Sequence, residues 1–183
     1  MSEKEALKKL GLETSPCPIV YSSSNLRFYE PGAFFTEGKS HWIQINPKLL
    51  KLKAFGYDTT TVIMHELVHA LRKDFEDSFW EELIAYQVSK YSYQKLLGPF
   101  FAKKKVQMMC IAAPIVSSLS GVFGFHYALW GYLALFGFVF LNYLREFSRL
   151  KRVKNALKAS SKDPFLDLVS LPKKQLELLE KNS

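Results

Sequence analysis

His65 and His69, in His65-Glu66-Leu67-Val68-His69, are the side chains of this chain best spaced for chemistry. On a helix of 3.6 residues per turn they lie one turn apart and project from the same side. Two imidazoles so placed can share one Zn²⁺, and the carboxylate of Glu66 can act as general base on a water that the metal activates. An open, catalytic site needs a third protein ligand and a fourth position left for water. Ser78-Phe79-Trp80-Glu81-Glu82 opens a second helical signal downstream. Ser78 and Glu81 have the spacing of a capping box, which would turn Glu81 back on its own helix start and leave Glu82 to reach the histidines. Glu81 is the alternative ligand.

Two helices must hold these groups. Ile63, Met64, Leu67, Val68, Ala70 and Leu71 fill one arc of the first helix, with His65, Glu66, His69, Arg72 and Lys73 on the other side. Asp58 and Thr59–Thr61 supply N-cap candidates. The second helix is expected to run from Ser78 to about Tyr93, with Trp80, Leu83, Ile84 and Val88 as its apolar side. Upstream, a short helix over Glu3–Leu10 ends at Gly11, and β-rich runs at 19–22, 26–30, 33–37 and 41–46 are separated by turn residues. Those runs predict an antiparallel meander. Asn46-Pro47 opens a short helix through Leu52. The expected class is α+β: a small antiparallel sheet packed on the two metal-site helices.

His65-Glu66-x-x-His69 followed by Glu82-x-x-Ala85 resembles the gluzincin clan of zinc metallopeptidases, and the short spacing is similar to that of the minigluzincins. The specific part of the likeness is residues 62–86. It implies His65, His69 and Glu82 as ligands of one zinc per chain, Glu66 as catalytic base, and a peptide or protein substrate. It also implies that the strand before the metal helix, with Trp42, Ile43 and Gln44, borders the cleft and pairs with extended substrate. One position departs from the pattern. Many gluzincins carry an Asp four residues after the ligand Glu, to orient a histidine; here Tyr86 stands there, to support the imidazole or polarise a substrate carbonyl.

The second half of the chain has another character. From Val106 to Leu144 no Asp, Glu, Lys or Arg occurs in 39 residues. About 20 apolar residues span a bilayer, so the run predicts two membrane helices, Val106–Phe123 and Tyr127–Leu144, turning at Gly124-Phe125-His126. Ser117/Gly121 and Ser120/Gly124 give small-xxx-small spacing for close packing. Lys103–Lys105 precede the run, and Arg145, Arg149, Lys151, Arg152, Lys154 and Lys158 follow it. Both flanks then belong on the cytoplasmic side. The expectation is an integral protein of the cell (inner) membrane, with metal site and both termini facing the cytoplasm. The net charge of +8 is thereby placed beside anionic lipid, and nucleic acid is not expected as a partner.

The expected division is a metallopeptidase-like domain (1–102), a transmembrane helical hairpin (103–145) and a cytosolic helical tail (146–183). Asp163-Pro164 and Ser170-Leu171-Pro172 should each start a short tail helix. The tail could fold across the cleft, and Cys17 could block the metal, although an ordinary linker thiol is the simpler role. Cys17 and Cys110 suggest no disulfide framework. Against the membrane-anchored endopeptidase stands a catalytically inactive metal-binding scaffold or partner-binding protein of the same fold.

Overall fold

The computed structural model describes residues 2–27, 29–51, 58–75, 78–123 and 126–181. It is mostly helical with one small sheet, in keeping with an α+β class.

The strands are β1 (Ile19–Tyr21), β2 (Gly32–Glu37) and β3 (Ser40–Ile45), in the order β1-β3-β2. A two-residue turn with Gly38 at φ 58° closes the β2–β3 hairpin, a conformation that glycine adopts without strain. The expected antiparallel meander is corrected at its first strand. β1 runs parallel to β3, so the sheet is mixed. The cause is the segment expected to be extended at 26–30. There the Glu30 backbone N–H donates to the Arg27 carbonyl at 3.0 Å, and Glu30 Oε2 accepts from the Arg27 N–H at 2.9 Å. The chain therefore crosses over and leaves β3 in the centre.

Helix α1 (Ser2–Lys9) ends before Gly11, and α2 (Pro47–Lys51) is capped by Asn46 Oδ1, which accepts from the Lys48 N–H. The first metal helix is α3 (Thr59–Arg72), started by Asp58, whose side chain accepts from the Thr61 N–H at 2.8 Å. Helix α3 lies between two cores. Val62, Ile63, Met64, Leu67 and Ala70 join α1, Cys17, Ile43 and Ile45 on one side. Val68 joins Trp80, Leu83 and Ile84 on the other.

The second metal helix, α4 (Ser78–Ala85), is shorter than expected. A 3-10 turn at Tyr86–Val88 ends it, and α5 (Ser92–Ala102) starts anew. Helices α6 (Lys104–Phe123) and α7 (His126–Ser160) follow. Of the described residues, Lys105–Val122 in α6 form the one stretch long and apolar enough to cross a membrane. Of the expected turn, residues 124 and 125 lie outside the described residues, and His126 already belongs to α7. The Tyr132 hydroxyl on α7 donates to the Met109 carbonyl on α6, so the two helices pack together. Ser117 is exposed and a Cβ on Gly121 would meet nothing within 4 Å, so that pair does not mark the contact; of the other pair, Ser120 is buried and residue 124 lies outside the described residues.

Helix α7 passes unbroken through the expected boundary at 145/146. The tail helices α8 (Pro164–Ser170) and α9 (Lys173–Lys181) start where the two prolines place them. Arg72 departs from its expected place on the wet side of α3. It is fully buried, and its Nη1 donates to the carbonyls of Leu168, Val169 and Leu171 at 3.1, 2.9 and 3.0 Å. Those carbonyls form the negative end of α8, which a guanidinium suits.

Candidate metal centre

One helical turn of α3 brings the two imidazoles together, with His65 Nε2 and His69 Nε2 3.2 Å apart. Glu82, from α4, closes the triangle: its Oε1 is 3.5 Å from His69 Nε2 and its Oε2 is 3.8 Å from His65 Nε2. Metal–ligand bonds of about 2.0–2.2 Å in a tetrahedron place neighbouring ligand atoms about 3.3–3.6 Å apart. The imidazole separation and the two Glu82 separations, which run to different oxygens of its carboxylate, lie within a few tenths of an ångström of such edges, and one donor atom from each residue lies within 4.8 Å of the others. Glu82 Oε2 is buried and accepts no hydrogen bond. A carboxylate oxygen in that state is costly unless a cation meets it. His65, His69 and Glu82 could therefore hold a metal ion.

The surrounding groups fix the imidazoles for that role. Glu81 Oε1 lies 2.7 Å from His69 Nδ1 and accepts its proton, which leaves Nε2 free to ligate. This corrects the capping-box expectation, because Glu81 faces the metal helix and not its own N-terminus. It also answers the departure at Tyr86: the orienting carboxylate comes from the residue before the third ligand. Only the i, i+1 offset hides it in the sequence, since two adjacent helical residues point about 100° apart. The Ala85 carbonyl in turn accepts from the His65 ring.

The charges are strongly linked. Burial alone would push His69 down, but the hydrogen bond to Glu81 and the carboxylates of Glu66 and Glu82 outweigh it and raise the imidazole to about 9. Burial, and then the charge of His69, hold His65 well below the ordinary histidine value. Burial raises Glu82 against the attraction of His69. Burial likewise raises Glu66 to about 7, although His69 and the Phe34 backbone N–H, which donates to it, pull the other way. Three carboxylates around two imidazoles make a place that favours positive charge.

Tyr86 packs edge-on against His65, with ring centroids 4.6 Å apart. That placement needs Gly98 on α5, where a Cβ would lie 2.2 Å from two carbons of the Tyr86 ring. The sequence gives no sign of this contact, because Gly98 precedes Pro99 and reads as a helix end.

His65 and Glu66 line a cleft of about 600 Å³; His69 and Glu82 are not among its lining residues. Residues 29–32 form one wall; Tyr86, Val88, Leu97 and Phe101 form the other. The strand assignment for Trp42, Ile43 and Gln44 is corrected here. They lie in the central strand, where Ile43 and Gln44 are paired with β1 on one side and β2 on the other and leave no backbone edge for substrate; Trp42 lies just before the stretch paired with β1. Ile43 and Gln44 are also buried, and Trp42 stacks on Phe35. The strand next to the site is β2, whose Phe34 N–H meets Glu66.

His41 stands 3.3 Å from Thr36 Oγ1 and takes no part in the metal group. Cys17 is buried in the core beneath the sheet, away from the metal group. Among the described residues, none of the tail lines the cleft. Compared with protein-family models, with curated proteins and with solved structures, the chain matches none.

Proposed function

We propose that the chain is a zinc-dependent endopeptidase of gluzincin type, anchored in a membrane through α6 and the first half of α7, and that it cleaves peptides or unfolded segments at the cytosolic face. The observation that carries the reading is the triangle of His65, His69 and Glu82 donors at tetrahedral spacing, with Glu66 beside it on an open cleft. Two imidazoles and a carboxylate with room for a fourth ligand suit zinc in its catalytic form. Zinc held there would supply a Lewis acid that polarises the scissile carbonyl and makes water nucleophilic at neutral pH.

The remaining steps belong to the chain. Glu66, raised to about 7, can take the proton of the attacking water and return it to the leaving amine. The outer edge of β2 can pair with an extended peptide, since β3 fills only its inner edge. Tyr86, lining the cleft beside His65, is placed to hydrogen-bond the substrate carbonyl. The membrane part of the reading rests on the 39-residue uncharged run, its basic flanks and the exposed apolar side chains of both helices.

The test is Glu66→Gln in the full chain. Hydrolysis of an unfolded protein should fall by about 10²–10⁴-fold while zinc stays at one per chain; Glu82→Ala should lose the zinc itself. A parent protein that cleaves nothing at full zinc occupancy would leave a non-catalytic metal-binding scaffold. Retention in the membrane pellet after an alkaline wash tests the anchor, and release into the soluble fraction would refute it.

A further inference from the structure

The cleft that His65 and Glu66 line is also lined by Phe101, Ala102 and Gln107. Gln107 belongs to α6, as the third residue of the apolar stretch that starts at Lys105. A short run of contacts joins the metal centre to that point. The Tyr86 ring lies 4.6 Å from the His65 ring, and Gly98 on α5 is pressed against Tyr86. Ala102 follows Gly98 on α5 by one helical turn, about 6 Å. Gln107 then ties α6 to the end of α5: its Nε2 donates to the Phe101 carbonyl at 3.0 Å, and its backbone N–H to the Lys103 carbonyl at 3.0 Å.

Helix α7 gives the same level independently. Phe100, beside Phe101, is buried against Phe136 and Phe140, with ring centroids 5.8 and 5.2 Å away. Both stand in the last turns of the uncharged run that ends at Leu144. The cleft therefore lies beside the start of one apolar helix and the end of the apolar part of the other. If those helices cross a bilayer, that is the height of its surface. Among the described residues no Lys or Arg lines the cleft, so the basic side chains that flank the cytosolic ends of membrane helices meet no like charge there.

We propose that the cleft takes the cytosolic segment directly next to a membrane helix of another protein, and that the bond presented to Glu66 lies within about five residues, or about 17 Å of extended chain, of that helix. The inference rests on the peptidase and membrane readings above and names their substrate class. The reaction is the same hydrolysis: the oxygen of water joins the carbonyl carbon, the C–N bond breaks, and the proton that Glu66 takes from the water goes to the amine. Position along the substrate becomes the selecting property, because effective concentration falls roughly as the −3/2 power of tether length.

The full chain is placed in vesicles of phosphatidylcholine and phosphatidylglycerol together with a substrate that has one membrane helix. The substrate carries a single cleavable sequence either about five or about 25 residues beyond that helix, and the nearer bond should be cut about tenfold faster. Equal rates, or faster cleavage of the distant bond, would overturn the proposal. Ala102→Trp narrows the cleft beside α6 and should remove most of the preference. A preference unchanged in that variant, with its zinc retained, would also overturn the proposal; if the variant loses zinc, the two substrates with the parent chain decide. Glu66→Gln repeats the comparison without hydrolysis, as the yield of crosslinks from a photoreactive phenylalanine at either position. Crosslinks that favour the near position, with no cleavage by the parent chain, would refute the peptidase reading and leave the segment next to the membrane as what the cleft binds. Release of the chain by the alkaline wash would refute the anchor and this proposal with it.

Discussion

Leu141 and Leu150 lie nine residues apart on one helix, yet Leu141 is 67% exposed and Leu150 2%. The difference runs through all of α7. In its second half Tyr143, Leu150, Val153 and Leu157 face a core shared with α4, α8 and α9, while Arg145, Lys151 and Arg152 take the outside. In its first half Trp130, Leu133, Leu135 and Phe138 are exposed and no charge accompanies them. Met108, Ile111, Ile115 and Val122 on α6 are exposed in the same way. An apolar side chain gains about 25 cal/mol per Å² only when something apolar replaces water around it. For the second half of α7 the chain itself provides that; for the first half the surroundings must. One face of α7 stays packed on the core as far back as Phe136, which lies against Phe100, so the exposed apolar surface begins within the helix.

The comparison can be broken most directly with the two leucines. Leu150→Ala should cost about 2–5 kcal/mol of stability by chemical denaturation, and Leu141→Ala about 0.5 kcal/mol or less. Similar losses at both positions would mean that Leu141 is covered by protein. A smaller effect is expected at the metal centre, where Glu81→Ala should weaken zinc binding by about 10–100-fold in a chelator competition. Membrane partition should not change with it, because His65, His69, Glu81 and Glu82 all lie on α3 and α4 and not on the apolar helices.

The smallest effect concerns pH. Glu66 at about 7 and His69 at about 9 both lie above their ordinary values of 4.5 and 6.5, so the folded chain keeps protons that the unfolded chain releases. Their contribution is full at low pH and is lost as pH rises, for Glu66 between 4.5 and about 7 and for His69 between 6.5 and about 9. In chelator the melting temperature should fall from pH 6 to 9. With zinc present the slope should reverse, because ligation needs His69 Nε2 without its proton. Parallel slopes would separate His69 from the metal.

The sequence made the histidine pair, the Asp58 cap, the nearness of Glu82 to the histidines and the tail helix starts legible, because each rests on a short-range rule of spacing or capping. It missed what depends on distant packing. Glu81 was assigned to its own helix because a local partner was in view, whereas the true partner is on another helix. Alternation along 41–46 fits a central strand as well as an edge strand, and only the crossover before β2 decides between them. Gly98 beneath Tyr86 and Arg72 in the interior are contacts that no window of neighbouring residues contains.

Arg72 also sets an order of events. Its carbonyl acceptors lie 96 to 99 residues further along the chain, so they leave the ribosome long after α3 does. Until then a guanidinium meant for the interior stays wet, and the base of the metal helix is unfinished. The two apolar helices are made in that interval. The candidate metal site is therefore completed only after the long apolar helix has been made.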